Sequence, residues 1–211
     1  CIAPFNFPMA LSTGMSAAAL MTGNTVVYKP AEDTPWTGML LYEVYTAAGV
    51  PAGAFQYMSG LASNMGDALW KSPHVDGIVF TGSKDVGMRL AKEFSTKWPK
   101  PVLMEMGGKN AAIVTESADL DMAADGVMRS AFGLQGQKCS ACSRVYVDAK
   151  VADEFIRLLV KKTQALKTGD PSEQDVYFGP VINGKAVKTF EGAVEQARDG
   201  GEILTGGIRM T

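Results

Sequence analysis

Residues 77–94 read GIVFTGSKDVGMRLAKEF and predict a strand, a tight turn and a helix in direct succession. The β-branched and aromatic run at 77–81 favours a buried strand. Gly82 turns the chain, and Ser83 stands where the N-cap of the following helix belongs. A strand that passes into a helix through so short a turn is the building unit of a parallel α/β sheet.

The same alternation extends over the rest of the chain. Further strands are predicted at 25–29, 55–58, 101–105, 111–115, 144–147 and 202–204. Helices are predicted at 9–21, 35–48, 63–70, 83–94, 120–132, 151–166 and 184–197. Thr34 and Asp119 stand at expected N-caps, and Gly49 stands just after a helix end. We expect a parallel doubly wound, Rossmann-like α/β sheet with helices on both faces, which binds ligands at the carboxyl ends of its strands.

The composition is that of an ordinary globular protein, with 46% hydrophobic residues, 20% charged residues and a net charge of −2. No basic run predicts a nucleic-acid partner. Apolar stretches break well before the roughly 18 residues that would predict a membrane span, and the start does not resemble a signal peptide. Three cysteines do not make a disulfide framework, so we expect a reducing compartment. That compartment is the cytoplasm, or the mitochondrial matrix if the protein is eukaryotic.

Two cysteines lie close together in FGLQGQKCSACSR, residues 132–144. Cys139 and Cys142 match half of a zinc site, but the chain offers only one histidine and one further cysteine, so we predict no metal. A thioredoxin-type redox pair sits at a helix start after a strand, and here the predicted order is the reverse. Two readings stay open from these residues alone: two small buried hydrophobes, or one nucleophilic thiol with a bystander.

Polar groups follow two of the predicted strands. Lys29 and Glu32 come after the strand near residue 28 and suit a ribose diol, although a solvated turn is the better explanation of this motif alone. Backbone amides at the helix start after Gly82 and Ser83 suit an anion. That segment is neither a Gly-x-Gly-x-x-Gly fingerprint nor a P-loop, and alone it is better explained as a helix cap.

Two further segments carry candidate functional groups. Glu105 places a carboxylate at a strand end, and Gly107 and Gly108 after it allow a close approach to the backbone. Asn6 lies between two prolines, which makes it either a rigid hydrogen-bond donor or part of a turn. Each segment alone is a weak signal.

Five segments taken in order resemble the NAD(P)-dependent aldehyde dehydrogenase superfamily. They are PFNFP at 4–8, KPAE at 29–32, FTGS at 80–83, EMGGKN at 105–110 and GQKC at 136–139. The resemblance covers essentially the whole chain, and QKCSACSR at 137–144 is similar to the members that oxidise glutamate semialdehyde to glutamate. It implies a small aldehyde substrate, NAD as cofactor with NADP possible, and a homo-oligomeric parent protein.

The resemblance also implies the catalytic roles. Cys139 matches the nucleophile, which leaves Cys142 as a bystander. Asn6 and the backbone N–H of Cys139 match the donors that hold the oxyanion, and Glu105 matches the base that activates water for thioester hydrolysis. Ser140 matches a position that helps hold the far carboxylate of the substrate.

The cofactor residues follow by the same comparison. Lys29 and Glu32 are implied to hold the adenosine ribose, and Ser83 to face the pyrophosphate. Gly82 and Gly87 are implied to shape the turn around it. The carboxylate of Glu32 disfavours a 2′-phosphate by charge, which favours NAD over NADP.

Members of this family are more than twice as long as this chain, which also starts without methionine. We therefore predict an internal fragment: most of an NAD(P)-binding domain at 1–133 and the truncated start of a catalytic domain at 134–211, inactive by itself. The alternatives are oxidation of another aldehyde such as succinate semialdehyde, a noncatalytic nucleotide-binding module, and an acylating relative. Glu105 weighs against the last, and the joint presence of Asn6, Glu105 and Cys139 weighs against the noncatalytic module.

Overall fold

The computed structural model describes residues 1–210, and the chain divides into two compact units, residues 1–107 and residues 108 onward. The helices are α1 Ala10–Met21, α2 Pro35–Ala47, α3 Ala62–Lys71, α4 Lys84–Phe94, α5 Leu120–Phe132, α6 Ala152–Gln164 and α7 Gly184–Gly200. The strands are β1 Val26–Tyr28, β2 Phe55–Tyr57, β3 Ile78–Gly82, β4 Val102–Met106, β5 Asn110–Val114 and β6 Cys142–Val147. The predicted α/β alternation is confirmed.

The strands of the first unit are joined through its first residues. β1 pairs with β2 and β3 pairs with β4, both in parallel. Ile2 bridges Lys29 on one side and Phe80 on the other, also in parallel. The spatial order is therefore β2, β1, residues 1–3, β3, β4. The chain winds outward to β2 and then crosses to β3, and this reversal is the topological switch point at which such sheets bind ligands.

The reversal also places the helices. Right-handed crossovers that run in opposite directions along a sheet put their helices on opposite faces, so α1 and α2 cover one face and α3 and α4 the other. Two clusters of buried side chains fill the space between helices and strands. One is centred on Tyr28, Leu41 and Phe55, and the other on Phe80 and Leu90. The doubly wound fold predicted from the sequence is confirmed.

Helix α1 packs on β1 through buried hydroxyl groups. Ser12 and Ser16 are fully buried, and Ser12 Oγ lies 2.8 Å from the hydroxyl of Tyr28, which is also fully buried. Ser16 Oγ lies 3.0 Å from the hydroxyl of Tyr45. The two buried serines of this helix are therefore satisfied by tyrosine hydroxyls, beside the apolar side chains with which α1 also packs on the core.

The second unit is built on one parallel strand pair. β5 pairs with β6, and the register shifts between Asn110 and Ala111, which face Cys142 and Arg144. Helices α5 and α6 pack together over a core that includes Val114, Ala124, Val127 and Phe155. The helix-then-strand order around the two cysteines is as predicted.

The structure tests the predicted ends of the elements. Asp119 caps α5 by accepting a hydrogen bond from Met122 N at 3.0 Å, and Gly49 follows α2 with φ +84°, both as predicted. Thr34 stands at the N-cap of α2, but within residues 1–210 its hydroxyl makes no capping hydrogen bond. The predicted helix at 184–197 continues to Gly200.

The strand predicted at 202–204 is wrong. No strand in the described part of the chain pairs with these residues, and a β-strand is stable only where a neighbour accepts its backbone hydrogen bonds. Gly206 and Gly207 then turn the chain through left-handed conformations, with φ of +73° and +69°. None of the helices within residues 1–210 is long and apolar enough to cross a membrane.

Candidate active site

Four predicted site residues lie along one edge of the first unit's sheet. The parallel bridges of Ile2 fix the direction of its segment, so Asn6 follows the central segment at the same edge as the ends of the neighbouring strands. Lys29 directly follows β1, Gly82 ends β3, and Glu105 is the next-to-last residue of β4. The rule that functional groups gather at the carboxyl ends of parallel strands therefore describes this unit.

Asn6 and the start of α4 flank the switch point. The half-buried Asn6 lies in the bend after residues 1–3, and Ser83 stands at the N-cap of α4, beside the end of β3. Ser83 Oγ accepts a long hydrogen bond of 3.5 Å from Val86 N. The amides of the first turn of α4 carry the positive end of the helix dipole, so this edge suits an anionic ligand.

Gly82 and Gly87 leave room for side chains of the sheet, and Gly87 does so from within α4. A Cβ atom at Gly82 would come within 2.5 Å of the Phe80 ring, and one at Gly87 within 2.6 Å of Met106 Sδ. Neither glycine has positive φ, so what they supply is space for the Phe80 and Met106 side chains rather than a special turn conformation. The sequence analysis assigned them to the shape of the turn, and the structure adds this packing role.

Lys29 is a buried cation beside β1. Its side chain is 6% exposed, and Nζ donates a hydrogen bond to Pro30 O at 3.1 Å. Burial lowers the pKa of the Lys29 ammonium from its usual value of 10.5, and the nearby Glu32 carboxylate opposes that shift. The ammonium is therefore held by a backbone hydrogen bond in a site that is almost closed to solvent.

Glu32 has a structural contact that its sequence context did not reveal. Its Oε1 accepts a hydrogen bond from the backbone N–H of Ala62, the first residue of α3. The carboxylate thus caps the start of a helix that lies 30 residues further along the chain. This contact fixes one carboxylate oxygen at the carboxyl end of β1.

Glu105 presents its side chain from β4. It is exposed and stands opposite Thr81 in the β3–β4 register. Because the strand ends one residue later, the carboxylate lies at the carboxyl edge of the sheet.

Cys139 lies in the second unit, in a turn before β6. Ala141 N donates to Lys138 O at 3.2 Å, which closes the turn, and Cys139 is exposed within it. The turn precedes its strand, so Cys139 and the exposed Ser140 lie at the amino end of the β5–β6 pair. These two residues therefore do not follow the expectation that functional groups lie at the carboxyl ends of parallel strands.

The segment just before this turn has an unusual backbone. The short 3₁₀ helix Gly133–Gly136 contains Leu134 and Gln135 with φ of +53° and +56°. A residue with a Cβ atom pays on the order of 1 kcal/mol in this left-handed region. Directly after it, Gln137 Oε1 accepts a hydrogen bond from Ile182 N at 3.1 Å, which connects the segment to the loop before α7.

Cys142 differs from Cys139 in its surroundings. It is half-buried at the start of β6, and its thiol donates to Arg144 O at 3.3 Å. Both thiols are free. Across residues 1–210, no three His, Cys, Asp or Glu side chains gather as a group that could hold a metal ion.

Asn110 was not predicted as a site residue, but it contacts the turn at 138–141 that carries Cys139, which we call the thiol turn. Its Nδ2 donates to Cys139 O at 2.6 Å and to Ala141 O at 3.4 Å. The residue was visible as the end of the segment EMGGKN and the start of a strand. No sequence signal gives the target of its side chain.

The fold and these residues define a nucleotide-binding type of sheet joined to a unit that carries an exposed thiol. Over residues 1–211 the sequence matches the aldehyde dehydrogenase family. The chain belongs to this family, and the resemblance predicted from the five segments is confirmed.

Particular relatives narrow the likeness. Over 211 residues the chain is 43% identical to 1-pyrroline-5-carboxylate dehydrogenase of Geobacillus thermodenitrificans, in an alignment that covers 98% of this chain and 41% of that protein. The structure of 1-pyrroline-5-carboxylate dehydrogenase from Thermus with bound NAD matches with a TM-score of 0.94 and 36% identity, over 100% of this chain and 42% of that one. An NADP-dependent enzyme of E. coli matches with a TM-score of 0.94 and 37% identity, over 99% and 44%. The chain therefore spans about two-fifths of the length of these relatives.

Proposed function

We propose that this chain is the central part of an NAD(P)-dependent aldehyde dehydrogenase that oxidises glutamate semialdehyde to glutamate. The observation that carries the proposal is the family match over the whole chain, with Cys139 exposed in a closed turn. The choice of aldehyde is supported by the 43% identity to a 1-pyrroline-5-carboxylate dehydrogenase. In such a protein, residues 1–133 are most of the cofactor domain and residues 134–211 the start of the catalytic domain.

The residues of the first unit fit a dinucleotide. The start of α4 lies at the switch point with Ser83 as its cap, and Gly87 lets the helix lie close to the sheet, which suits a pyrophosphate. Lys29 and Glu32 lie beside β1, at the same edge, and are the residues that would hold the adenosine ribose. When bound, NAD(P) supplies the acceptor for a hydride.

The chain's own groups supply the remaining chemistry. The Cys139 thiolate adds to the aldehyde carbon, and the oxyanion that forms accepts hydrogen bonds from the Asn6 amide and the Cys139 backbone N–H. Loss of hydride from that carbon leaves a thioester on Cys139. Glu105 takes a proton from the water that attacks the thioester, and collapse of the adduct releases the acid and restores the Cys139 thiolate. Ser140 helps to hold the far carboxylate of the substrate.

We propose NAD rather than NADP as the preferred cofactor. The hydrogen bond from Ala62 N holds the Glu32 carboxylate beside β1, where it repels a 2′-phosphate. We also propose that the whole protein is a homo-oligomer that works in the cytoplasm or another reducing compartment.

The proposal is tested in the full-length dehydrogenase that carries this chain. We expect Cys139→Ala to abolish aldehyde oxidation and to leave NAD binding intact, whereas the matched variant Cys142→Ala keeps its activity. We expect kcat/KM for glutamate semialdehyde to exceed that for propanal by more than about tenfold.

The outcomes separate the alternatives. Oxidation that persists in Cys139→Ala contradicts the mechanism. Equal rates with the two aldehydes would keep the dehydrogenase and remove glutamate semialdehyde as its substrate. NAD binding without oxidation of any aldehyde would support the noncatalytic nucleotide-binding module.

A further inference from the structure

The side chain of Asn110 contacts the backbone on both sides of Ser140. Nδ2 donates to the carbonyl oxygens of Cys139 at 2.6 Å and Ala141 at 3.4 Å. Because both neighbours are acceptors, only the nitrogen end of the amide can face them, which settles its orientation. One side chain therefore spans the turn that presents the thiol.

Asn110 is well placed to hold this turn because it belongs to the sheet. It is the first residue of β5 and stands opposite Cys142, the first residue of β6. The turn at Lys138 to Ala141 enters β6 directly. The amide thus links the turn to β5, the strand that pairs with β6, and the turn itself leads into β6.

Gly108 leaves the space in which the amide meets the turn. A Cβ atom at this position would lie 3.4 Å from Cys139 O and 3.3 Å from Asn110 Oδ1. The distance to Asn110 Oδ1 is slightly tighter than an ordinary contact and the distance to Cys139 O is just in contact, so a side chain here would press on the amide that binds the turn.

The backbone before the turn does not hold it in place by its own preference. Leu134 and Gln135 adopt the disfavoured left-handed region, with φ of +53° and +56°. Such a segment persists only where contacts outweigh its strain. Contacts of this kind are the Gln137 bond to Ile182 N on the upstream side and the Asn110 amide across the turn.

We infer that Asn110 is a positioning residue for the nucleophile, and its effect on catalysis rests on the proposed function. Its amide fixes the peptide plane that follows Cys139. With the Ala141-to-Lys138 bond, this restricts the backbone angles of Cys139 and hence the direction of its Cα–Cβ bond and its N–H group. Both groups must be directed correctly, one to attack the aldehyde and the other to hold the oxyanion.

The test compares Asn110→Ala with wild type in the full-length dehydrogenase. The matched control is Asn24→Ala, because Asn24 is an exposed asparagine of the first unit whose Nδ2 also donates two hydrogen bonds, to Ala19 O at 3.1 Å and Thr22 Oγ1 at 3.0 Å. We expect Asn110→Ala to lower kcat/KM for the aldehyde by about ten- to a hundredfold, and Asn24→Ala to leave it unchanged.

A second measurement separates positioning from activation of the thiol. Alkylation of Cys139 by iodoacetamide needs a thiolate but no fixed direction, so we expect its rate in Asn110→Ala to stay within about threefold of wild type. The NAD dissociation constant should not change. A loss of alkylation equal to the loss of kcat/KM would show that Asn110 acts on thiol ionisation and would overturn the inference, as would an unchanged kcat/KM.

A third measurement does not depend on dehydrogenase activity. Trypsin cleaves after Lys138, directly before Cys139. Losing the amide contact should speed this cleavage by about two- to tenfold in Asn110→Ala, with cleavage after Lys150 as the internal reference. If the wild-type protein oxidises no aldehyde, the proposed function fails, but cleavage after Lys138 still decides whether Asn110 holds the turn. Equal cleavage rates in wild type, Asn110→Ala and Asn24→Ala would overturn the inference that Asn110 holds the turn.

Discussion

Glu32 combines two roles that one substitution can separate. Its carboxylate caps α3 through Ala62 N, and we propose that it also excludes a 2′-phosphate from the adenosine ribose. Glu32→Gln removes the negative charge but keeps a side-chain oxygen that can accept the hydrogen bond from Ala62. Glu32→Ala removes both the charge and the acceptor. The first variant therefore tests cofactor choice alone, and the second adds the loss of the cap.

The expected sizes follow from the exposure of the carboxylate. Glu32 is exposed, so its repulsion of a phosphate a few ångströms away is closer to the value in water than to that of a protein interior. That repulsion is about 1–2 kcal/mol, or roughly five- to thirtyfold in relative affinity. The cap contributes about 1 kcal/mol, which corresponds to roughly fivefold faster amide exchange in the first turn of α3 once it is lost.

Two assays measure these effects in the full-length protein that carries this chain. The ratio of kcat/KM with NADP to kcat/KM with NAD should rise roughly five- to thirtyfold in both variants. Hydrogen exchange at residues 62–65 should quicken in Glu32→Ala and stay near wild type in Glu32→Gln. An unchanged cofactor ratio in Glu32→Gln would refute the charge argument, and equal exchange in the two variants would refute the cap.

Three other predictions concern buried or strained groups. Ser12→Ala and Tyr28→Phe should each lower the free energy of unfolding by about 1–3 kcal/mol, while the double variant loses less than the sum; additive losses in thermal unfolding would contradict the contact between their hydroxyls. Gln135→Gly should raise the free energy of unfolding by about 1 kcal/mol, since glycine adopts φ +56° without cost; denaturant titration measures it, and a lower stability would oppose the reasoning. Lys29 binds protons less readily when folded, so wild-type stability should rise with pH from its lowered pKa up to 10.5; a Lys29→Met variant that rises equally in pH-dependent thermal unfolding would exclude Lys29 as the source.

Much of the fold could be predicted because its signals are local. Ser83 and Asp119 cap helices within three residues of themselves, and Gly49 ends one by its own left-handed conformation. The strand expected at 202–204 failed because a strand also needs a neighbour, which its own residues do not specify. The buried Ser12 could not be foreseen for the same reason, since only the hydroxyl of Tyr28 makes a polar core position favourable there.

The candidate site divides along the same line. Lys29, Gly82 and Glu105 were predictable because the carboxyl end of a parallel strand can be read from the strand and the turn that follows it. Cys139 was found through a family resemblance, and its place before β6 runs against that rule. Asn110 shows why such a residue escapes sequence reasoning. Its residue type and its place at a strand start could be read from the sequence. Its hydrogen bond to Cys139 O depends on the pairing of Asn110 with Cys142, beside a register shift that no sequence pattern predicts. A contact made by two segments, each ordinary by itself, becomes visible only when the strands have been paired.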